Sequence, residues 1–403
     1  MYPSVDVVLP RDGSIEALAA AQNLQPFGSL QTGFAAALSK ALITSASIRG
    51  YPELVALGFW LRPANLRRTI DSFIQRQAGG VHLPRGLVFH VAPSNVDTIF
   101  VYSWFLSLLC GNRNVIRLSS RQGPQAGALL SVLDELLGSE EWRSIAGRTL
   151  VVRYGHDAAT SGALSAACDM RVVWGGDATV DTFRAFPLRP HATELAFPDR
   201  FSLAVLQAEA LATASSGELE QLASAFHNDV YWFGQMACSS PRMLVWVGGA
   251  AATQVAQQRF WPALQAELDR RGSAVAAADN MNKEINADAL AVEQAGVRIL
   301  TPDPRITRVE LERPSLHVAL HCGAGLFHET RIDGLEDLLP LLSRKIQTVS
   351  YHGIPQDLWR TFLETGLPAG IDRIVTLGAA LDFEPVWDGQ DLIAAFLRQV
   401  TIR

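Results

Sequence analysis

The sequence predicts an α/β protein with two doubly wound domains and a helical N-terminal segment. Three observations carry this. From Pro84 onward, apolar runs of strand length alternate with helix-length stretches, the pattern of βαβ units on a parallel sheet. A second series of the same kind begins near Cys238. The chain has 403 residues, 48% of them hydrophobic and 18% charged, which is enough for two or three separate cores and argues against disorder.

Residues 1–80 read as helical, with helices over Ile15–Ala21, Thr32–Ser45, Pro52–Phe59 and Ala64–Arg76 and no persuasive strand alternation. The first α/β series has strands at Leu87–Ala92, Asn114–Leu118, Thr149–Tyr154, Met170–Trp174 and Phe201–Leu206. Its helices fall at Thr98–Cys110, Ala126–Leu137 and Ala158–Ala167, with Pro124 suited to a first helical turn. The second series has strands at Met243–Val247, Val297–Leu300, Val309–Leu311, His317–Leu320, Leu326–His328, Thr348–Tyr351 and Arg373–Leu377. Helices are expected at Ala251–Arg271, Leu335–Leu342, Gln356–Glu364 and Leu392–Val400. The domain reading is therefore residues 1–80 packing on the core, 81–235 and 236–380 as two α/β domains, and 381–403 returning to the core. The active-site cleft is expected between the two domains, since open α/β sheets and domain clefts hold ligands.

Several functions are excluded early. The net charge is −6 with no run of Lys or Arg, so nucleic acid is not an expected partner. The longest apolar stretch, Thr98–Cys110, is shorter than the roughly 20 residues a membrane helix needs. The N-terminus has no basic segment followed by an apolar one, so no signal peptide is read and the cytoplasm is the expected setting. Cys110, Cys168, Cys238 and Cys322 are widely spaced without CxxC pairing, so neither a metal site nor a disulfide framework is expected.

Four segments carry chemistry. Gly234-Gln235-Met236-Ala237-Cys238-Ser239-Ser240-Pro241-Arg242 places a cysteine in a small, polar turn between a helical pattern (Leu219–Phe233) and a strand. A thiolate there can attack an acyl carbonyl and hold the product as a reactive thioester. In Val91-Ala92-Pro93-Ser94-Asn95-Val96, a strand runs into an Asn that can donate to an oxyanion or cap the following helix. Gly111-Asn112 opens a strand ending in Arg117, Ser119 and Arg121, a set suited to phosphate or to a solvated turn. Trp174-Gly175-Gly176-Asp177 is a strand-to-helix turn, either one that lets an anion approach the backbone or a plain βα turn. No GxGxxG follows a strand.

In this order the segments resemble the aldehyde dehydrogenase superfamily, and more closely the LuxC-type acyl-CoA (long-chain fatty acyl) reductases. Further residues carrying the likeness are Pro84–His90, Lys345-Ile346-Gln347-Thr348-Val349, Asp372-Arg373-Ile374-Val375 and Trp387-Asp388-Gly389. The resemblance implies an aldehyde-dehydrogenase-like fold with Cys238 as the acyl-accepting nucleophile. Asn95 falls on the oxyanion-hole Asn, with the Cys238 backbone N–H as second donor. Pro93, Ser94, Arg117, Ser119, Arg121, Gly175 and Gly176 fall on cofactor-binding positions. Arg121 stands near where NAD-preferring members keep an acidic residue, which favours NADPH. Hydrolytic members carry Glu-Leu-Gly-Gly to activate water; here the nearest match is Glu194-Leu195-Ala196-Phe197.

The implied activity is NADPH-dependent reduction of a fatty acyl thioester, from acyl-CoA or an acylated partner protein, to the aldehyde. An acyl-protein synthetase-like partner and a homo-oligomer are implied with it. A CoA-acylating or oxidising aldehyde dehydrogenase is one alternative, and a non-redox acyl-carrier or scaffold subunit another. His227, His328 and His352 are weaker acid–base candidates. Asn95→Ala is expected to slow acylation by about two to three orders of magnitude in single-turnover assays, and a near-normal rate would remove Asn95 from the mechanism.

Overall fold

The computed structural model describes residues 5–77, 80–93, 99–120 and 123–402. The chain forms two compact units, Met1–Asp199 with Phe383–Arg403, and Arg200–Asp382.

The first unit is built on strands β1 (Asp6–Leu9), β2 (Val81–Pro84), β3 (Leu87–Val91), β4 (Arg113–Leu118), β5 (Thr149–Arg153), β6 (Met170–Trp174) and β7 (Thr193–Phe197). Six of them form one sheet in the order β1-β5-β4-β3-β6-β7, parallel except for β1. Starting at β3, the chain lays β4 and β5 to one side, then returns to place β6 and β7 on the other. That reversal is a topological switch point, and open α/β sheets bind ligands beyond the carboxyl ends of their strands at such a point. Helices cover both faces with two cores, one around Phe34, Trp104, Ile116 and Leu129, the other around Phe89, Val115, Leu150 and Phe183. This explains why β3 lacks alternation and is buried at every residue, its one polar side chain, His90, bonded to Ser103 and Asn114.

Local chemistry fixes where the strands begin. Gly86 has φ of 132°, and a Cβ there would lie 2.1 Å from the Asp169 carboxylate. The Gly86 N–H donates to Asn112 Oδ1 at 2.9 Å and the Leu87 N–H to Asp169 Oδ2 at 2.8 Å. The Asn112 amide in turn donates to the carbonyls of Ser107 and Phe396. The Gly111-Asn112 pair is thus a structural tie between the sheet and the C-terminal segment.

The second unit has strands β8 (Phe201–Gln207), β9 (Pro241–Val247), β10 (Arg298–Asp303), β11 (Ile306–Glu310), β12 (Leu326–Ile332), β13 (Ile346–His352) and β14 (Arg373–Thr376). Their order is β10-β11-β12-β9-β8-β13-β14, parallel except for β10. β8 is the pivot, flanked by β9 and β13. Asp372 pairs with buried Arg200 at 2.5 Å. Arg373 donates to the carbonyls of Ala380 and Asp382, while Asp229 accepts the N–H groups of Gly378 and Ala380. Two buried polar side chains, Arg373 and Asp229, therefore grip the segment leaving this unit.

The returning segment carries β15 (Val386–Trp387), β16 (Gln390–Asp391) and β17 (Leu397–Val400). Asp388 and Gly389 have φ of 49° and 72°, the two positive values of a tight hairpin turn that Asp-Gly favours. β17 pairs antiparallel with β2.

The structure departs from the sequence expectation in several places. The passage between units lies at Asp199–Arg200, not near residue 235, because β8 pairs with β9 and β13. Residues 1–80 include a strand, β1, whose partner is β5. The helix expected over Leu392–Val400 stops at Phe396, since the remainder completes a ladder with β2. His317–Leu320 is a single 3-10 turn, and Leu335–Leu341 is a 3-10 helix with Pro340 inside it. The helix Ala277–Glu293 and strand β7 were not expected. That helix buries only Lys283, Ala287 and Leu290, too narrow a stripe to stand out.

Asp229 makes the stability of the fold pH-dependent. Burial raises its carboxyl to about 7, against the opposing pull of the Gly378 and Ala380 N–H groups. The folded state then holds a proton that the unfolded state has lost, so this contribution falls as pH rises from about 4 to about 7. The Tm of wild type relative to Asp229→Asn is expected to drop across that window and level off above it. Parallel Tm curves would show that the carboxyl ionises normally.

Candidate active site

The helix Ser216–Tyr231 opens with a capping box between Ser215 and Glu218 and leads into the turn that carries Cys238. Within that turn Gln235 has φ of 65°, a left-handed conformation costly for any residue but glycine. Its fully buried side chain holds it there. Nε2 donates to the carbonyls of Pro241 (3.0 Å) and Leu326 (2.9 Å), and Oε1 accepts the Gly325 N–H at 2.9 Å. The Ala324 N–H also donates to the Gly234 carbonyl at 2.9 Å. The cysteine turn and the loop before β12 are thereby fastened side by side.

Cys238 is half-buried, immediately ahead of β9, so it stands at the amino edge of the second unit's sheet. Its carbonyl accepts the Ser202 hydroxyl at 2.6 Å. Cys110 and Cys168 are buried, and burial pushes both thiols up, Cys168 to about 12. Burial also raises the half-buried Cys322. Arg242, beneath the turn, donates to the Met236 carbonyl at 3.4 Å and lies over the Phe201 ring at 5.7 Å.

The histidines are structural in their contacts. His227 stacks on Tyr231, and burial, followed by the Arg271 charge, lowers it to about 4. His328 donates to the Leu320 carbonyl and burial lowers it to about 4. Burial also lowers His352, at the end of β13. His321, which the sequence reading passed over, pairs Nε2 with the Leu326 carbonyl at 2.7 Å and accepts the Gly323 N–H on Nδ1 at 3.1 Å. Burial, then His328 and Arg242, hold its pKa well below the usual range. It shapes the loop beside the cysteine turn as a neutral ring. Its sequence signal was weak: one His ahead of Cys322-Gly323-Ala324-Gly325. Among the described residues no group of three or more His, Cys, Asp or Glu side chains is placed to hold a metal ion.

The other predicted residues that are described share one edge of the first unit. Pro93 lies just beyond β3, Ser119 just beyond β4, and Gly175–Gly176 just beyond β6. Arg117 is in register with Val91, which is in register with Val173. All stand at the carboxyl edge of the switch-point strands. The Arg117 guanidinium lies 4.9 Å from the Tyr154 ring centroid and donates to the Gly155 carbonyl at 3.4 Å. Gly176 caps the helix Asp177–Arg184 without a side-chain hydrogen bond, and a Cβ there would meet nothing within 4 Å. Asp177 occupies the first turn of that helix. Ser94, Asn95 and Arg121 lie outside the described residues. Glu194, on β7, is held by buried Arg171 (2.7 Å) and by Arg184 (3.3 Å).

Residues 65–300, more than half of the chain, match the family model described as acyl-CoA reductase (LuxC). The chain belongs to the LuxC family of acyl-CoA reductases. The LuxC match takes in both the Pro93 edge and the Cys238 turn. A long-chain acyl-protein thioester reductase from Aliivibrio fischeri is 22% identical over 301 residues, 73% of this chain and 59% of that protein. The match thus spans about three-fifths of the curated relative's length. Lactaldehyde dehydrogenase from Escherichia coli superposes with a TM-score of 0.61 at 15% identity, over 93% of this chain and 85% of that one. Methylmalonate-semialdehyde dehydrogenase from Oceanimonas doudoroffii gives 0.66 at 13% identity, over 99% and 91%. The fold is that of the aldehyde dehydrogenases, as the resemblance implied.

Gln235→Glu isolates the clamp on the cysteine turn. A carboxylate would face the Pro241 and Leu326 carbonyls where two N–H donors now sit. Urea denaturation at neutral pH is expected to show a loss of about 2–4 kcal/mol, and an unchanged midpoint would mean that the turn holds without this amide.

Proposed function

We propose that this chain reduces a fatty acyl thioester to the aldehyde through an acyl-enzyme on Cys238, using NADPH. The observation that carries the reading is an accessible cysteine on a clamped turn in a LuxC-family chain. The Cys238 thiolate attacks the thioester carbonyl, the substrate's thiol departs with a proton, and the acyl group stays on sulfur. The Asn95 amide and the Cys238 N–H stabilise the oxyanion, each donor contributing roughly 3 kcal/mol. NADPH, when bound, would supply a hydride to the acyl carbon. The resulting Cys238 thiohemiacetal then collapses, breaking the C–S bond and returning the thiolate as the aldehyde leaves.

The carboxyl edge of the first unit suits the nucleotide: Pro93, Ser94, Ser119, Gly175 and Gly176 would line it, with Arg117 beside the ribose. Arg121 would take a 2′-phosphate, which favours NADPH over NADH. A neighbouring fold, 3,6-anhydro-L-galactose dehydrogenase, was solved in complex with NAP. Acyl-CoA and an acylated partner protein are both suitable donors; the name of the Aliivibrio relative speaks for the second. The ion pairs that occupy Glu194 count against a water-activating base, and so against the oxidising hydrolytic alternative.

Intact-protein mass spectrometry after mixing with tetradecanoyl-CoA tests the reading. Wild type is expected to gain an acyl adduct that NADPH discharges, and Cys238→Ala to gain none. An adduct that forms equally on Cys238→Ala, or that NADPH leaves in place, would overturn it.

A further inference from the structure

Three strands lose their regular register at one residue. Between β8 and β9, Ser202 faces Pro241 and Leu203 faces Met243, so Arg242 is an extra residue in β9. Between β8 and β13, Phe201 faces Ile346 and Leu203 faces Val349, so Gln347 and Thr348 together oppose Ser202. Bulges are rare in parallel pairs and re-aim side chains where they occur. Here two converge on Ser202 from opposite sides. The inserted residues belong to the Cys238–Arg242 segment and to the Lys345–Val349 segment, which the mechanism above leaves unused.

The irregularity frees Ser202 for a particular bond. Its side chain is fully buried. The Thr348 N–H donates to Ser202 Oγ at 3.2 Å, and the Ser202 hydroxyl donates to the Cys238 carbonyl at 2.6 Å. The backbone of β13 is thereby linked through one hydroxyl to the peptide just after the nucleophile. That peptide is a rigid trans unit, so fixing its carbonyl toward Ser202 turns the Ser239 N–H the opposite way. The bond also restrains the backbone torsion next to the atom that bears the thiol.

We propose that Ser202 is a positioning residue for the nucleophile. Through the Thr348–Ser202–Cys238 hydrogen bonds it sets the peptide plane after Cys238 and so the attack geometry of the sulfur. This rests on the acyl-enzyme reading, and it adds a residue that no sequence motif singled out.

The test compares wild type with Ser202→Ala, Ser202→Thr and Ser202→Cys. Single-turnover acylation by tetradecanoyl-CoA is expected to fall about tenfold in Ser202→Ala with KM nearly unchanged. Ser202→Thr, which keeps the hydroxyl, should restore most of it, and Ser202→Cys, a weaker donor, should fall between. The iodoacetamide alkylation rate of Cys238, mapped by peptide and referred to Cys322 in the same molecule, should shift at least about threefold in Ser202→Ala. Wild-type acylation and alkylation rates in Ser202→Ala would overturn the proposal. So would a change shared equally by Cys238 and Cys322 with a lowered denaturation midpoint, which marks general loosening. If Ser202→Ala does not fold, a wild-type acylation rate in Ser202→Cys would overturn it. If wild type forms no adduct at all, the acyl-enzyme reading fails, and the alkylation ratio alone decides the role of Ser202.

Discussion

The buried amide of Gln235 is the constraint on which the candidate site depends. A non-glycine residue with positive φ is held because its side chain satisfies two carbonyls and one N–H of neighbouring segments. An amide supplies donors and an acceptor in one rigid plane, which no apolar or singly charged side chain of that size can do. The turn carrying Cys238, the start of β9 and the loop before β12 are thus one piece. Such a turn keeps the thiol in a fixed position before substrate arrives, and preorganisation of this kind is what acyl transfer rewards.

Each unit presents its candidate chemistry at a different sheet edge. In the first, the switch-point order opens the carboxyl edge, and Pro93, Arg117, Ser119, Gly175 and Gly176 gather there from separate strands. In the second, the cysteine stands at the amino edge, ahead of β9. The general rule for open α/β sheets describes the first unit's edge well. It does not describe Cys238, whose place comes from a turn rather than from a strand end.

Charge is handled by burial and pairing. His321 and His328 sit close to the cysteine turn or its neighbouring loop, yet burial keeps both rings neutral and backbone groups occupy them. Glu194 is taken by two arginines. Arg242 brings a positive charge beneath the turn.

Much of this was legible in the chain itself. Runs without alternation such as Leu203–Leu206 mark strands buried on both faces, so the α/β class and most of the sheet strands follow from hydrophobic pattern. The Cys238 segment and the Gly-Asn and Gly-Gly turns stand out because their residue types are chemically distinctive. What pattern could not give was anything decided by a distant partner. β17 is a strand because β2 needs a ladder, and the unit boundary lies at Asp199 because β8 pairs with strands far along the chain. Ser202 looks like an ordinary strand residue until two bulges turn Thr348 and Cys238 toward it. Local sequence fixes periodicity and chemistry; hydrogen bonds across long separations fix register, and register decides which side chains meet.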